Sequence, residues 1–174
     1  ACEPTPPVRQ IKITDRLPYG LPPVNYSLKD VDDVITKLNR QLATQKKRLT
    51  FQGPNGYLKS VLKALDVPVE SQLLVFSKTA LNQHRVGPKN PRAIYFNDEV
   101  YVGWVPGAGA LEISTVDPKK GSNFYTLTQQ KTQSPQFTRE ESCLACHAGR
   151  TTLNVPGHMI RSVQVKKKIG RAHV

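Results

Sequence analysis

In the stretch SLKDVDDVITKLNRQLATQKKRLTF the apolar residues Leu28, Val31, Ile35, Leu38, Leu42 and Leu49 recur at steps of three, four and seven. That period predicts a helix with one apolar face. Ser27 suits its N-cap, Asp30, Asp32 and Asp33 its first turns, and Lys46, Lys47 and Arg48 its end. The stripe is short for a coiled coil, so the helix is expected to pack on its own domain. GPNG breaks the chain, and GYLKSVLKALDVP predicts a second helix through Leu58, Val61, Leu62 and Leu65, stopped before Pro68.

Beyond Pro68 the period changes. SQLLVFS is a compact apolar run, which predicts a buried strand. RAIYFNDEVYVGWV carries two β-rich runs about Asn97-Asp98, a tight hairpin. ALEISTVDPKKGSNFYTLTQ repeats the pattern with its turn at Pro118 to Gly121. Residues 128–139 are polar and rich in Gln and Thr, which reads as a loop. Prolines crowd the first 24 residues and favour an extended arm, whose IKI could pair with a sheet edge. The expected fold class is therefore α+β: an N-terminal extended arm, two helices, a small antiparallel sheet and a C-terminal segment that carries the chemistry. The expected division is an arm over 1–26, an α+β domain over 27–127, a binding segment over 128–164 packed on it, and a basic tail over 165–174.

Composition narrows the functional classes. A formal charge of +12 on 174 residues attracts acidic partners. The Lys and Arg are dispersed and accompany no nucleic-acid motif, so nucleic acid is not the expected partner. No apolar run is long enough to span a membrane. Three cysteines do not make a disulfide scaffold. The opening ACEPTPPV looks like a chain from which a signal peptide has been removed, which predicts an exported, periplasmic protein. A lipidated Cys2 is disfavoured by Ala1 before it.

Two of the cysteines and a histidine fall in five positions, Cys143-Leu-Ala-Cys146-His147. A zinc ribbon needs a second ligand pair, and Cys2, His84, His158 and His173 do not form one. A thioredoxin-like pair calls for a βαβ setting that the pattern lacks. A disulfide across so short a loop stabilises little. Covalent attachment of haem c is the reading that remains. Two intervening residues set both thiols on one turn of chain, where they add across the haem vinyl groups, and the next residue ligates the iron. Small Ala145 and Ala148 let the backbone lie close to the ring.

The sixth iron position decides the function. His158 and Met159 are adjacent in NVPGHMIRSV, and eleven residues from His147 reach roughly 36 Å when extended, enough to round a haem edge. Pro156-Gly157 is expected to supply the return turn. Neighbouring residues on an extended segment point opposite ways, so only one of the two can face the iron. The third alternative is an open position. Arg92, Arg150 and Arg161 are candidates to pair with haem propionates, with Arg150 and Arg161 preferred because they flank the two motifs. Tyr95, Phe96, Tyr101 and Trp104 are expected in sheet packing rather than as a haem wall.

The stretches GYLKSVLKALDVPVESQLLVFSKTAL, PRAIYFNDEVYVGWVPG, LEISTVDPKKGSNFYTL and CLACHAGRTTLNVPGHMIRSV resemble an uncharacterised family of exported bacterial, planctomycete-type proteins with a single haem c motif. The resemblance covers about residues 30–163. It implies haem attachment at Cys143 and Cys146, ligation by His147, and a matching VPGH stretch over Val155 to His158. The family position after that His is usually Leu where this chain has Met159, which favours His158 as the sixth ligand. Many members continue well past VQVKKKIGRAHV, so the resemblance also implies a short form whose missing part a partner supplies.

Together these readings lead to the expectation of a monohaem c-type cytochrome that passes single electrons between acidic redox partners in the periplasm, alone or within a larger assembly. The alternative is a haem enzyme or gas sensor with an open iron position.

Overall fold

The computed structural model describes residues 19–27 and 31–159. Three helices, α1 (Val34–Ala43), α2 (Leu58–Ala64) and the single-turn α3 (Leu144–His147), accompany six strands. These are β1 (Leu73–Val75), β2 (Arg92–Phe96), β3 (Val100–Trp104), β4 (Ala110–Asp117), β5 (Gly121–Thr128) and β6 (Thr138–Arg139). All pair antiparallel in sequence order, a six-stranded meander. The architecture agrees with the α+β class. Among the described residues no helix is long and apolar enough to cross a membrane.

α1 starts at Asp33 rather than Ser27. The Asp33 carboxylate accepts the Thr36 N–H at 2.8 Å, and the Thr36 hydroxyl accepts the Asp33 N–H, a reciprocal cap. The helix also ends early, because Gln45 takes φ +56°, so Lys46 to Arg48 lie beyond it. The three-four-seven spacing ran past both ends because Val31 and Leu49 pack near the core without being helical. α2 lies where its pattern put it, with Leu58, Val61 and Leu62 buried. Asp66, at φ +53°, turns the chain out before Pro68.

Both expected hairpins form. Asn97 makes the first turn: its Oδ1 accepts the N–H of Glu99 and Val100, and its Nδ2 donates to the α2 end at Leu65 O and Asp66 O. In the second, Asp117 Oδ1 accepts the N–H of Lys119 and Lys120. SQLLVFS yields only β1, and this strand is not buried as expected. It is the edge of the sheet, with Leu73 and Leu74 exposed and Val75 alone covered. The polar loop after β5 contains β6, paired at Tyr125↔Arg139 and Thr126↔Thr138. Of the arm, residues 19–27 form turns rather than extended chain, with Val24 and Tyr26 buried. The IKI segment lies outside the described residues.

The sheet has two differently covered faces. Alternation puts Ala93, Tyr95, Val102, Leu111, Tyr125 and Leu127 on one face, packed against Ile35 and Leu38 of α1 and Leu58, Val61 and Leu62 of α2. Residues one step out of phase occupy the other face. There Phe124 joins Val24, Tyr26, Leu144 and Ala148 in a second cluster, with Cys143 against it. The helices thus cover one side of the sheet and the CLACH segment covers the other.

Candidate functional site

The second face of the sheet and the segment over it line an open pocket of about 90 Å³. Its floor is one face of four strands: Arg92 and Ile94, Tyr101 and Gly103, Glu112 and Ser114, and Phe124. Registers Ile94↔Gly103, Gly103↔Glu112, Tyr101↔Ser114 and Ser114↔Phe124 align these residues across the sheet. Its cover is Cys143, His147, His158 and Met159.

Local structure positions the cover. A 3₁₀ turn (Glu141–Cys143), capped by the Glu140 carboxylate on Ser142 N, runs into α3 and carries His147 down onto the sheet. Leu153 and Asn154, at φ +54° and +60°, then reverse the chain. The turn therefore lies three residues ahead of the expected Pro156-Gly157. The returning segment is held from both sides. Pro156 O accepts the Ser122 N–H at 2.8 Å, and Gly157 N–H donates to His147 O at 2.9 Å. Gly121 makes this approach possible: it has φ +77°, and a Cβ there would collide with Pro156 O.

The two histidines line one pocket. His147 Nδ1 lies 2.9 Å from Gly157 O. A carbonyl can only accept, so Nδ1 carries the hydrogen and Nε2 of the neutral ring keeps its lone pair. Burial pushes the His147 pKa down and, against the raising effect of the Gly157 bond, keeps the ring neutral. His158 is also pushed down, first by burial and then by His147 beside it. Its Nε2 is buried without a hydrogen-bond partner. Phe124 packs on His147 and Tyr101 on His158, each with ring centroids 4.6 Å apart. Tyr101 in turn stacks on Phe96, so one of the hairpin aromatics lines the pocket and a second supports it. Tyr95 and Trp104 belong to the helix-covered core, in agreement with their reading as sheet packing.

The remaining site candidates separate. Cys143 lines the pocket half-buried, while Cys146 is exposed on the same turn, and both thiols are free. Burial, with Glu140 and Glu112 nearby, pushes the Cys143 thiol up to about 12. Met159 lines the pocket too, but its sulfur accepts from the Thr151 hydroxyl at 2.9 Å. Arg92 is in the lining, ion-paired to Glu112 at 2.8 Å. Arg150 is exposed and outside the lining, and so is His84. Arg161, His173 and Cys2 lie outside the described residues. Ser114 and Gly103 were missed in the sequence. The signal for Gly103 was a glycine inside a strand, which marks close approach of another group.

Among the described residues, no three His, Cys, Asp or Glu side chains converge as a protein-only metal cage requires. Two imidazole nitrogens, His147 Nε2 and His158 Nε2, remain in an aromatic-walled pocket. With the His158 Nε2 unpartnered and the His147 Nδ1 engaged by Gly157, these two imidazoles, together with Cys143 and Cys146, are the residues that would hold a covalently attached haem. Compared with family models, with curated proteins and with solved structures, the chain has no significant match.

Proposed function

We propose that the chain is a monohaem c-type cytochrome, an electron carrier of an exported compartment. Cys143 and Cys146 hold the haem, His147 is its proximal ligand and His158 its sixth. Bound there, haem supplies a one-electron iron couple, whose potential bis-imidazole ligation sets lower than His/Met ligation would. The observation that carries the reading is the buried, unpartnered Nε2 of His158 in the pocket that also receives His147. A buried nitrogen without a partner costs about 1–3 kcal/mol unless something takes it up.

The chain's own residues supply the rest. Gly157 O fixes the His147 tautomer and orients the ring. Phe124, Tyr101 and Ile94 give the pocket apolar walls around the two histidines. The raised Cys143 pKa opposes the thiol-redox reading of CxxC, because a reactive redox thiol needs its pKa lowered. The +12 charge favours acidic redox partners and steers them electrostatically, with the chain acting alone or as one relay of a larger assembly.

The test is expression in a host with c-type cytochrome maturation, followed by intact mass and a haem stain under denaturing conditions. The wild-type chain is expected to carry the mass of one haem, Cys143→Ala with Cys146→Ala none. A wild-type chain of apo mass from a host that matures a control cytochrome would refute the proposal.

A further inference from the structure

The polar chain between β5 and β6 is fastened to the helices at two points. Thr132 N–H donates to the Tyr57 hydroxyl at 2.9 Å. Asn39 of α1 holds Phe137 twice, its Oδ1 accepting the Phe137 N–H at 2.9 Å and its Nδ2 donating to Phe137 O at 2.8 Å. Between these fastenings, residues 133–136 form one wall of an open groove of about 430 Å³. The end of α1 and the chain after it, Leu42 to Leu49, form the other. Ligand sites span about 300–1,000 Å³, so the groove is of a size to recognise something. Lys47 and Arg48 bring two cations to it, and neither is ion-paired to a described residue. Gln45, Gln133 and Gln136 bring amides that both donate and accept, as a peptide backbone does. Leu42, Leu49 and Pro135 add apolar contact, and among the described residues no Asp or Glu lines the groove. Lys47 Nζ donates to Ala64 O at 3.4 Å and Thr50 N–H to Ser60 Oγ at 2.8 Å, which holds this chain against α2. Lys59 and Lys63 of α2 are exposed and extend the positive field. An anionic lipid surface fits less well, because a membrane-bound face carries large exposed apolar side chains among its cations. None of those exposed among the described residues lines this groove.

We propose that this groove binds an extended, carboxylate-rich segment of a partner protein. Lys47 and Arg48 take its acidic side chains, and the glutamine amides take its backbone. The inference does not depend on the cytochrome reading. The groove is on the helix-covered side of the sheet and the histidine pocket on the other, so an occupant here leaves that pocket clear.

Fluorescence anisotropy of the full chain with a fluorescein-labelled peptide of alternating Glu and Gly tests this, with the Gln-Gly peptide as its neutral counterpart. The wild-type chain is expected to bind the acidic peptide and not the neutral one. Lys47→Gln with Arg48→Gln is expected to weaken binding by about tenfold. Ser134→Glu, which sets a carboxylate in the groove, is expected to do the same with the melting temperature unchanged. Lys78→Gln with Lys89→Gln removes the same charge at exposed positions outside the lining, and is expected to weaken binding by less than about twofold. Equal weakening in the two double variants would overturn the site, since net charge alone would then hold the peptide. So would a wild-type chain that leaves the acidic peptide unbound. If Ser134→Glu then abolished binding to phosphatidylglycerol vesicles, or self-association of the chain, the groove would serve a lipid surface or a second copy instead.

Discussion

At the residue scale the site turns on two atoms, His147 Nε2 and His158 Nε2. His158→Ala in the haem-loaded protein is expected to convert a low-spin spectrum to a high-spin one that binds carbon monoxide. Met159→Leu is expected to leave the spectrum as it was, because the Met159 sulfur is engaged by Thr151. The reverse pattern would make Met159 the ligand. Gly121 is the other sensitive residue. Alanine there adopts a left-handed backbone at about 1–3 kcal/mol and pushes on Pro156 O. Gly121→Ala is thus expected to lower the melting temperature and to broaden the His158-ligated spectrum, checked by calorimetry and absorption together. These residues were unevenly legible. Cys143, Cys146 and His147 stand in a motif whose spacing led to the haem proposal, and His158 was singled out as within reach by chain length alone. Ser114 was not: it sits at a polar position of a strand that alternates as any half-solvated strand does, and only the segment folded over it makes that position a pocket floor.

At the scale of elements, Asp33 joins the helices to the sheet. Its Oδ1 caps α1 through Thr36, and its Oδ2 accepts from Thr115 at 2.6 Å and Tyr125 at 2.7 Å, all buried or nearly so. Losing a cap and two charge-assisted bonds is expected to cost about 3 kcal/mol or more in Asp33→Ala, measured as a lowered urea midpoint at unchanged slope. Tyr125 adds a pH dependence. Burial first, and the Asp33 charge second, hold its hydroxyl protonated well above its usual value of 10. The folded state keeps a proton that the unfolded state gives up, so this contribution is complete below pH 10 and is lost as pH rises further. Tyr125→Phe is expected to flatten the alkaline limb of a stability–pH profile relative to wild type. The hairpins were readable because alternation and turn residues are local. The start of α1 was not, because Ser27 and Asp33 are both good caps in sequence and only the sheet residues Thr115 and Tyr125 select Asp33.

For the whole molecule the division of labour follows from the two faces of one sheet. α1 and α2 supply stability on one side, and the motif-bearing segment closes a pocket on the other. Periodicity assigns residues to alternate faces but does not say what covers each, so this arrangement lay beyond the sequence. Charge, by contrast, was legible at once. With +12 overall, electron exchange with an acidic partner protein is expected to slow by about tenfold or more from low to physiological salt. Exchange with a neutral small reagent, followed by stopped flow, is expected to change little. The most direct test of the central claim is the visible spectrum of the purified chain, oxidised, reduced, and reduced under carbon monoxide. A sharp low-spin reduced spectrum that carbon monoxide does not change is the result expected of a haem closed by His147 and His158. A high-spin spectrum that shifts with carbon monoxide would contradict that closure and point to an open iron; the absence of any haem band would contradict the haem itself.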